Sequence, residues 1–260
     1  MIEIEVQGQQ IPSLGFGTWQ LSGNEAREAT RHALEIGYRQ IDTAQAYNNE
    51  EEVGRAIVES GVARDEIFLT TKLVGETLAG DRVGPAVDES LAKLDTEYVD
   101  LLLIHWPNAE VPLGETLEAM RRQQDAGKVR HLGVSNFKGP LLLEALEHAA
   151  ILADQVPYQP GRTQNTLRAI AVERDVMITA YSPLRGDGIK APELAAVAQA
   201  HDKTVQQVAL RWLLQQEKVS PIPRSADPTH RQANFEVFDF ELDDEEMARI
   251  SGITIPPTAG

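Results

Sequence analysis

Short runs of aliphatic and β-branched residues alternate along this chain with longer stretches in which apolar residues recur at helical spacing. Eight runs stand out: 14–19, 38–44, 67–73, 98–106, 129–136, 154–158, 176–182 and 219–225. Between them lie amphipathic stretches such as NEAREATRHALEI, EEEVGRAIVESG, AVDESLAKL, GETLEAMRRQQDAG and KGPLLLEALEHA. Eight strand candidates, nearly every one followed by a helix candidate, predict an α/β fold: a closed (β/α)8 barrel rather than an open doubly wound sheet. The leading IEIEVQGQQIPSL predicts an extra β-hairpin, with Gly8 in its turn, capping the bottom of the barrel. No linker, low-complexity segment or charge block divides the sequence, so residues 1–260 are read as one domain.

Composition narrows the function. The chain has 24 Lys+Arg against 40 Asp+Glu, a net charge of −16, which argues against nucleic-acid or anionic-membrane partners. An anionic ligand therefore needs positive charge concentrated locally. There is no cysteine, so thiolate nucleophiles, disulfides and Cys-based metal sites are excluded. The six histidines form neither HxH nor HExxH, so no metal site is expected. The acidic DFELDDEEM at 239–247 reads as a helix start rather than a metal site. The start of the sequence has no signal-peptide pattern and no apolar run approaches membrane-spanning length, so a soluble cytoplasmic monomer is expected.

In a barrel of this kind, chemistry sits at the carboxyl ends of the strands. Read in order, those ends are GFGTW, RQIDTAQAY, FLTTK, LLLIHWP, LGVSNF, DQVPYQP, ITAYSPL and SPIPRS. They carry Asp42, Lys72, His105, Ser135, Asn136, Gln155, Tyr181, Arg224 and Ser225, with Tyr47 five residues beyond Asp42. A phenol with a pKa of about 10 is a poor acid at neutral pH unless its anion is stabilised. Lys72 would do so, held in turn by Asp42, while His105 hydrogen-bonds a carbonyl oxygen as a neutral donor. These four form a proton donor and an oxyanion-stabilising group, and lack only a reductant. Ser135, Asn136 and Gln155 suit a nicotinamide carboxamide, and Tyr181 offers a face for the ring. Arg224, Ser225, His230 and Arg231 gather groups suited to a phosphate. No GxGxxG follows a strand, so a Rossmann site is not indicated.

These residues resemble the aldo-keto reductase family. GYRQIDTAQAYNNEEEVG at 37–54 is similar to its most specific signature, and TTK, LLLIHWP, GVSNF and IPRSADPTHRQANF follow in the family's order. The likeness covers nearly the whole chain, and compact bacterial diketo-gluconate and methylglyoxal reductase-like members are nearest. It implies a (β/α)8 barrel, an extended NADPH or NADH, and a catalytic tetrad of Asp42, Tyr47, Lys72 and His105. It further implies Gly17, Thr18 and Trp19 at the nicotinamide end, with Asp42 beside them. Ser135, Asn136 and Gln155 would hold the carboxamide and Tyr181 would stack on the ring. Ser182, Pro183 and Leu184 would pass the pyrophosphate, and Arg224, Ser225, His230 and Asn234 would take the adenosine end. Small carbonyl compounds would meet Trp19, Tyr47, His105 and Trp106.

The sequence departs from the family's pattern at Asp154, where asparagine is usual, at His230, where arginine commonly grips the 2′-phosphate, and at Ala233. An imidazole holds a phosphate less firmly than a guanidinium, so NADPH with appreciable NADH use is expected. Short loops after His105 and Tyr181, and a short closing segment SGITIPPTAG, predict an open mouth that suits small aldehydes, dicarbonyls, keto-sugars and aromatic aldehydes. Two other functions fit parts of the sequence: a Schiff-base aldolase using Lys72, and a cofactor-binding regulatory subunit.

Overall fold

The computed structural model describes residues 2–255; Met1 and the end of the SGITIPPTAG segment, residues 256–260, lie outside the described residues. The chain opens on the expected hairpin. Strands β1 (Glu3–Val6) and β2 (Gln9–Pro12) pair antiparallel, with Val6 opposite Gln9. The two residues between them, Gln7 and Gly8, have φ of 50° and 73°. Such a turn matches the twist of the strands it joins. Val6 and Ile11 are fully buried against Leu101, Leu103 and Met177, so the hairpin plugs one end of the barrel. Burying two such side chains contributes about 3–6 kcal/mol. The Gln7 side chain donates to the carbonyls of Ile151 and Asp175, which fixes the plug to β8 and to the turn before β9.

The barrel consists of β3 (Gly15–Gly17), β4 (Gln40–Asp42), β5 (Phe68–Leu73), β6 (Val99–Ile104), β7 (Val129–Ser135), β8 (Ile151–Pro157), β9 (Met177–Tyr181) and β10 (Val219–Pro221). All eight are parallel and ordered as in the sequence. Every residue of β6 is buried, as expected of a strand covered on both faces. Around the barrel run α1 (Gly23–Glu35), α2 (Glu50–Ser60), α3 (Val83–Leu94), α4 (Leu113–Asp125), α5 (Gly139–His148) and α6 (Asn165–Arg174). Two helices, α7 (Pro192–Ala200) and α8 (Val205–Leu214), separate β9 from β10, and α9 (Pro228–Phe235) and α10 (Asp244–Ser251) close the ring. The acidic DFELDDEEM starts a helix as expected: Asp243 caps α10, accepting from the Glu246 amide at 2.8 Å.

Two strand boundaries differ from the sequence-based expectation by more than two residues. β8 begins at Ile151, three residues early, because ILA after a helical stretch reads equally well as a helix tail. β10 stops at Pro221, since Pro221 and Pro223 bring no backbone donor to a ladder. The seam between the first and last barrel strands is correspondingly sparse. There the Gly17 amide donates to Pro223 O at 3.1 Å, and the Ser220 hydroxyl of β10 reaches past β3 to the Gln40 side chain of β4 at 3.1 Å. Close approach needs glycine here: a Cβ on Gly17 would lie 2.9 Å from the Ile222 carbonyl oxygen, and one on Gly15 would lie 2.8 Å from the Ile222 side chain.

Asp154 of β8 is fully buried and neither carboxyl oxygen makes a hydrogen bond. Burial raises its pKa well above the ordinary carboxylate value; the nearby Phe137 amide, which falls short of hydrogen-bond geometry, opposes this only weakly. The native state therefore binds a proton that the unfolded chain loses above about pH 4, and stability falls as pH rises through that window by about 1.4 kcal/mol per unit. Asp154→Asn is expected to remove this slope, so that its stability relative to the parent is greater at pH 8 than at pH 4. Denaturant unfolding at the two pH values checks this, and equal differences would contradict it.

Candidate active site

The carboxyl ends of the strands converge on a cavity of about 670 Å3, open on one side. Asp42 ends β4 and Lys72 lies near the end of β5, with 2% and 0% exposure. The chain after Asp42 turns through a short helical segment, Gln45–Tyr47, that carries the phenol back over the barrel mouth. That loop is fixed by residues the sequence did not single out. The Thr43 hydroxyl donates to Asn49 Oδ1, and Asn49 Nδ2 donates to the carbonyls of Thr18 and Leu21. Thr18 in turn donates its hydroxyl to the Asp42 carbonyl at 3.0 Å. The loops carrying Trp19 and Tyr47 are thus held to one another.

Lys72 Nζ donates to Asp42 Oδ1 at 2.6 Å, to the Thr43 carbonyl at 2.8 Å and to the Tyr47 hydroxyl at 3.3 Å. Burial alone would lower the lysine pKa; the charge and hydrogen bonds of Asp42, with Tyr47 adding to them, outweigh it and hold the value above the ordinary one. The second Asp42 oxygen accepts from Gln155 Nε2 at 2.7 Å. A protonated lysine whose three donors are engaged and whose side chain is sealed from solvent cannot attack a carbonyl, which removes the Schiff-base reading.

The expected effect of Lys72 on Tyr47 is present, and burial outweighs it. Burial raises the phenol pKa, and although Lys72 opposes this, burial prevails, with Asp42 adding a further upward push. Tyr47 therefore rests as the protonated acid. His105 follows β6 directly, its ring edge-on to Tyr47 with centroids 5.6 Å apart. Burial, and then the Lys72 charge, lower its pKa to about 4, so the imidazole is neutral at pH 7. Its Nδ1 is buried without a partner.

Beside these lie Ser135, Asn136, Gln155 and Tyr181, all on the cavity wall. The Tyr181 hydroxyl donates to Asn136 Oδ1 at 2.9 Å, and Asn136 Nδ2 donates to the His105 carbonyl at 3.0 Å. Gly17, Trp19, Ser182, Pro183, Leu184 and Arg224 also line the cavity, and Trp106 stands at its mouth. Trp19 and Trp106 are 42% and 56% exposed. Gln20, Ala46, Arg185, Ile222 and Pro223 complete the wall and were not singled out from the sequence. Ile222 and Pro223 are apolar strand-end residues that no chemical signal marks; Arg185 is a cation in an exposed loop.

The structure does not bring Thr18, Ser225, His230 or Asn234 to this wall. Ser225 instead hydrogen-bonds the backbone of Asp227, and His230 is exposed on α9. Arg231, counted among the phosphate-binding candidates, is buried and donates to the carbonyls of Ser225 and Ala226 and to His32 Nδ1. It shapes the loop and is not free for an anion. Arg224 donates to the Trp19 carbonyl and to Gln20 Oε1.

The model of the aldo/keto reductase family matches residues 13–255. The chain belongs to that family. It is accordingly an oxidoreductase acting on carbonyl groups. A glyoxal reductase of Bacillus subtilis is 40% identical over 250 residues, spanning 95% of this chain and 90% of the relative. A crystal structure provisionally named as a 2,5-diketo-D-gluconic acid reductase B superposes with a TM-score of 0.96 at 40% identity, covering 99% of this chain and 92% of the other. An aldo-keto reductase of Bombyx mori, solved with NADP, superposes with a TM-score of 0.88 at 34% identity, covering 96% and 93%. Among the described residues, no helix is long and apolar enough to cross a membrane.

Proposed function

We propose that this aldo/keto reductase reduces small aldehydes, dicarbonyls, keto-sugars and aromatic aldehydes to alcohols, with Tyr47 as proton donor and NADPH, or to an appreciable degree NADH, as reductant. The observation that carries the reading is the buried chain Asp42–Lys72–Tyr47, which ends on a protonated phenol beside the neutral His105 imidazole on the cavity wall. The donor set suits a nicotinamide dinucleotide: hydroxyl and amide groups from Ser135, Asn136 and Gln155, the ring of Tyr181, and the cations Arg185 and Arg224 on a protein of charge −16. When bound, the cofactor supplies the hydride.

The protein's own part is the proton and the oxygen. Tyr47 gives its proton to the carbonyl oxygen, and the negative charge left on the phenolate is met by the Lys72 ammonium 3.3 Å away. The Asp42 carboxylate keeps that ammonium in place, and Gln155 keeps the carboxylate in place. His105, a neutral donor, orients the same oxygen and shares its developing charge. The exposed Trp19 and Trp106 and the short loop before α4 leave the mouth open, which supports small substrates.

Asp227 supports relaxed cofactor choice. Its carboxylate accepts the amides of Thr229 at 2.7 Å and His230 at 3.4 Å, and those hydrogen bonds, from Thr229 above all, hold its pKa below the ordinary range. The proposed adenosine end thus presents a carboxylate, with Arg231 already committed, where a 2′-phosphate would seek positive charge. Absorbance at the reduced-nicotinamide band, followed with methylglyoxal, glyoxal and 4-nitrobenzaldehyde, is expected to fall with either cofactor. No turnover of any carbonyl, or a strong preference for a steroid ketone over this panel, would overturn the proposal.

A further inference from the structure

We propose that Asp154 is a positioning residue that couples dinucleotide binding to pH: when its carboxyl ionises, it captures the Phe137 amide and draws Asn136 from its place on the cavity wall. The inference rests on the functional reading above. Asp154 lies opposite Val134 of β7 and Ile178 of β9, on the helix-facing side of β8, in an apolar layer. Both of its oxygens lack a partner. The Phe137 amide, buried beside it, likewise meets no acceptor among the described residues. An unmade pair of this kind is costly on both sides. Proton loss favours making it, because a carboxylate accepts an amide more strongly than a neutral carboxyl does.

Both ends of this unmade pair adjoin the proposed nicotinamide site. Gln155 follows Asp154 directly, and Asn136 directly precedes Phe137 with φ of 63°, a left-handed conformation that asparagine tolerates. The Gln155 carbonyl accepts the Asn136 amide at 2.9 Å and the Ser135 hydroxyl at 2.8 Å, and Asn136 Oδ1 accepts the Tyr181 hydroxyl at 2.9 Å. A pull on the Phe137 amide therefore reaches Asn136 through one peptide unit and works against the hydrogen bonds that shape the wall. No charge competes for the carboxyl. The charged and titratable groups of the elements packed on β8 are Arg130 and His131 of β7, Lys138 in the loop after it, Glu144, Glu147 and His148 of α5, and Tyr181 of β9. None of them moves the Asp154 pKa, which burial raises. A dinucleotide that needs the wall as described binds the protonated form, so its affinity falls as pH rises through that raised pKa, and its binding raises the pKa further.

Calorimetric titration of the full chain and of Asp154→Asn with NADH between pH 6 and pH 9 tests this; NADH carries no 2′-phosphate to titrate. Over that range Tyr47 and Lys72 stay protonated and His105 stays neutral. The parent is expected to bind NADH about 10-fold more weakly at pH 9 than at pH 6. It is also expected to take up protons on binding between those limits, read from the dependence of the heat on the ionisation enthalpy of the buffer. In Asp154→Asn both effects are expected to vanish, with affinity at every pH close to that of the parent at pH 6. Asp154→Leu, which also lacks the proton, carries the test if the asparagine variant does not fold, and circular dichroism at each pH reports the fold. Parent binding that is flat with pH overturns the inference, as does the same slope in parent and variant. Weakening by one factor at every pH also overturns it and makes Asp154 a purely structural residue. A parent chain that binds neither NADH nor NADPH overturns the functional reading itself.

Discussion

Tyr47→Phe is expected to lower the rate of carbonyl reduction by about 10²–10⁴-fold while leaving cofactor affinity within a few-fold of the parent. The hydroxyl is the only atom lost, and it is the last link of the chain that begins at Asp42. The phenol contributes to the transition state through a proton that no neighbour can replace: His105 is neutral at pH 7, and the Lys72 ammonium is sealed behind Tyr47. The same substitution leaves the ring packed against His105, so the fold and the groove lined by Ser135 and Tyr181 are preserved. Single-turnover rates and a calorimetric titration separate the two effects. Retention of more than a tenth of the parent rate would show that another group delivers the proton.

Lys72→Met is expected to cost about 3–5 kcal/mol of stability as well as activity. The lysine is buried inside the barrel with its charge paired to Asp42, so truncating the charge leaves a carboxylate 2% exposed, with Gln155 as its remaining side-chain donor. The desolvation cost of an uncompensated buried charge, rather than the loss of a favourable contact, sets the size of the effect. For a chain of this size, such a loss lowers Tm by roughly 10 °C. The double variant with Asp42→Asn removes both charges and is expected to recover most of the stability and none of the activity. Urea unfolding of both variants decides the matter, and a loss below about 1 kcal/mol in the single variant would mean that the site admits water to the carboxylate.

Both expectations draw on residues that are legible in the sequence. The eight apolar runs fixed the number of strands, and each ended where a polar residue could face a common mouth, so Asp42, Lys72, His105 and Tyr181 could be picked out by position alone. What could not be read was how side chains share their hydrogen bonds. Nothing in DQVPYQP says that Gln155 spends its amide on Asp42, or in IPRSADPTHRQANF that Arg231 turns inward to two carbonyls while Asp227 presents a carboxylate. The net Tyr47 pKa was not legible for a related reason: a neighbouring cation can be read from strand ends, whereas the depth to which a phenol is buried depends on how all eight ends close around it. Arg185 carries no signal in the sequence because Trp19, whose ring its guanidinium overlies, is more than 160 positions away in the chain.

The sparse seam between β3 and β10 has a mechanical meaning. A stave vessel fails at its weakest joint, and here that joint carries a single backbone hydrogen bond at its rim, from Gly17 to Pro223. The same joint is bordered by Trp19 on one side and Arg224 on the other, both on the wall of the groove proposed for the dinucleotide. A ligand seated there touches the first and last staves at once and acts as a hoop, so the energy that seats the cofactor also tightens the vessel that holds it.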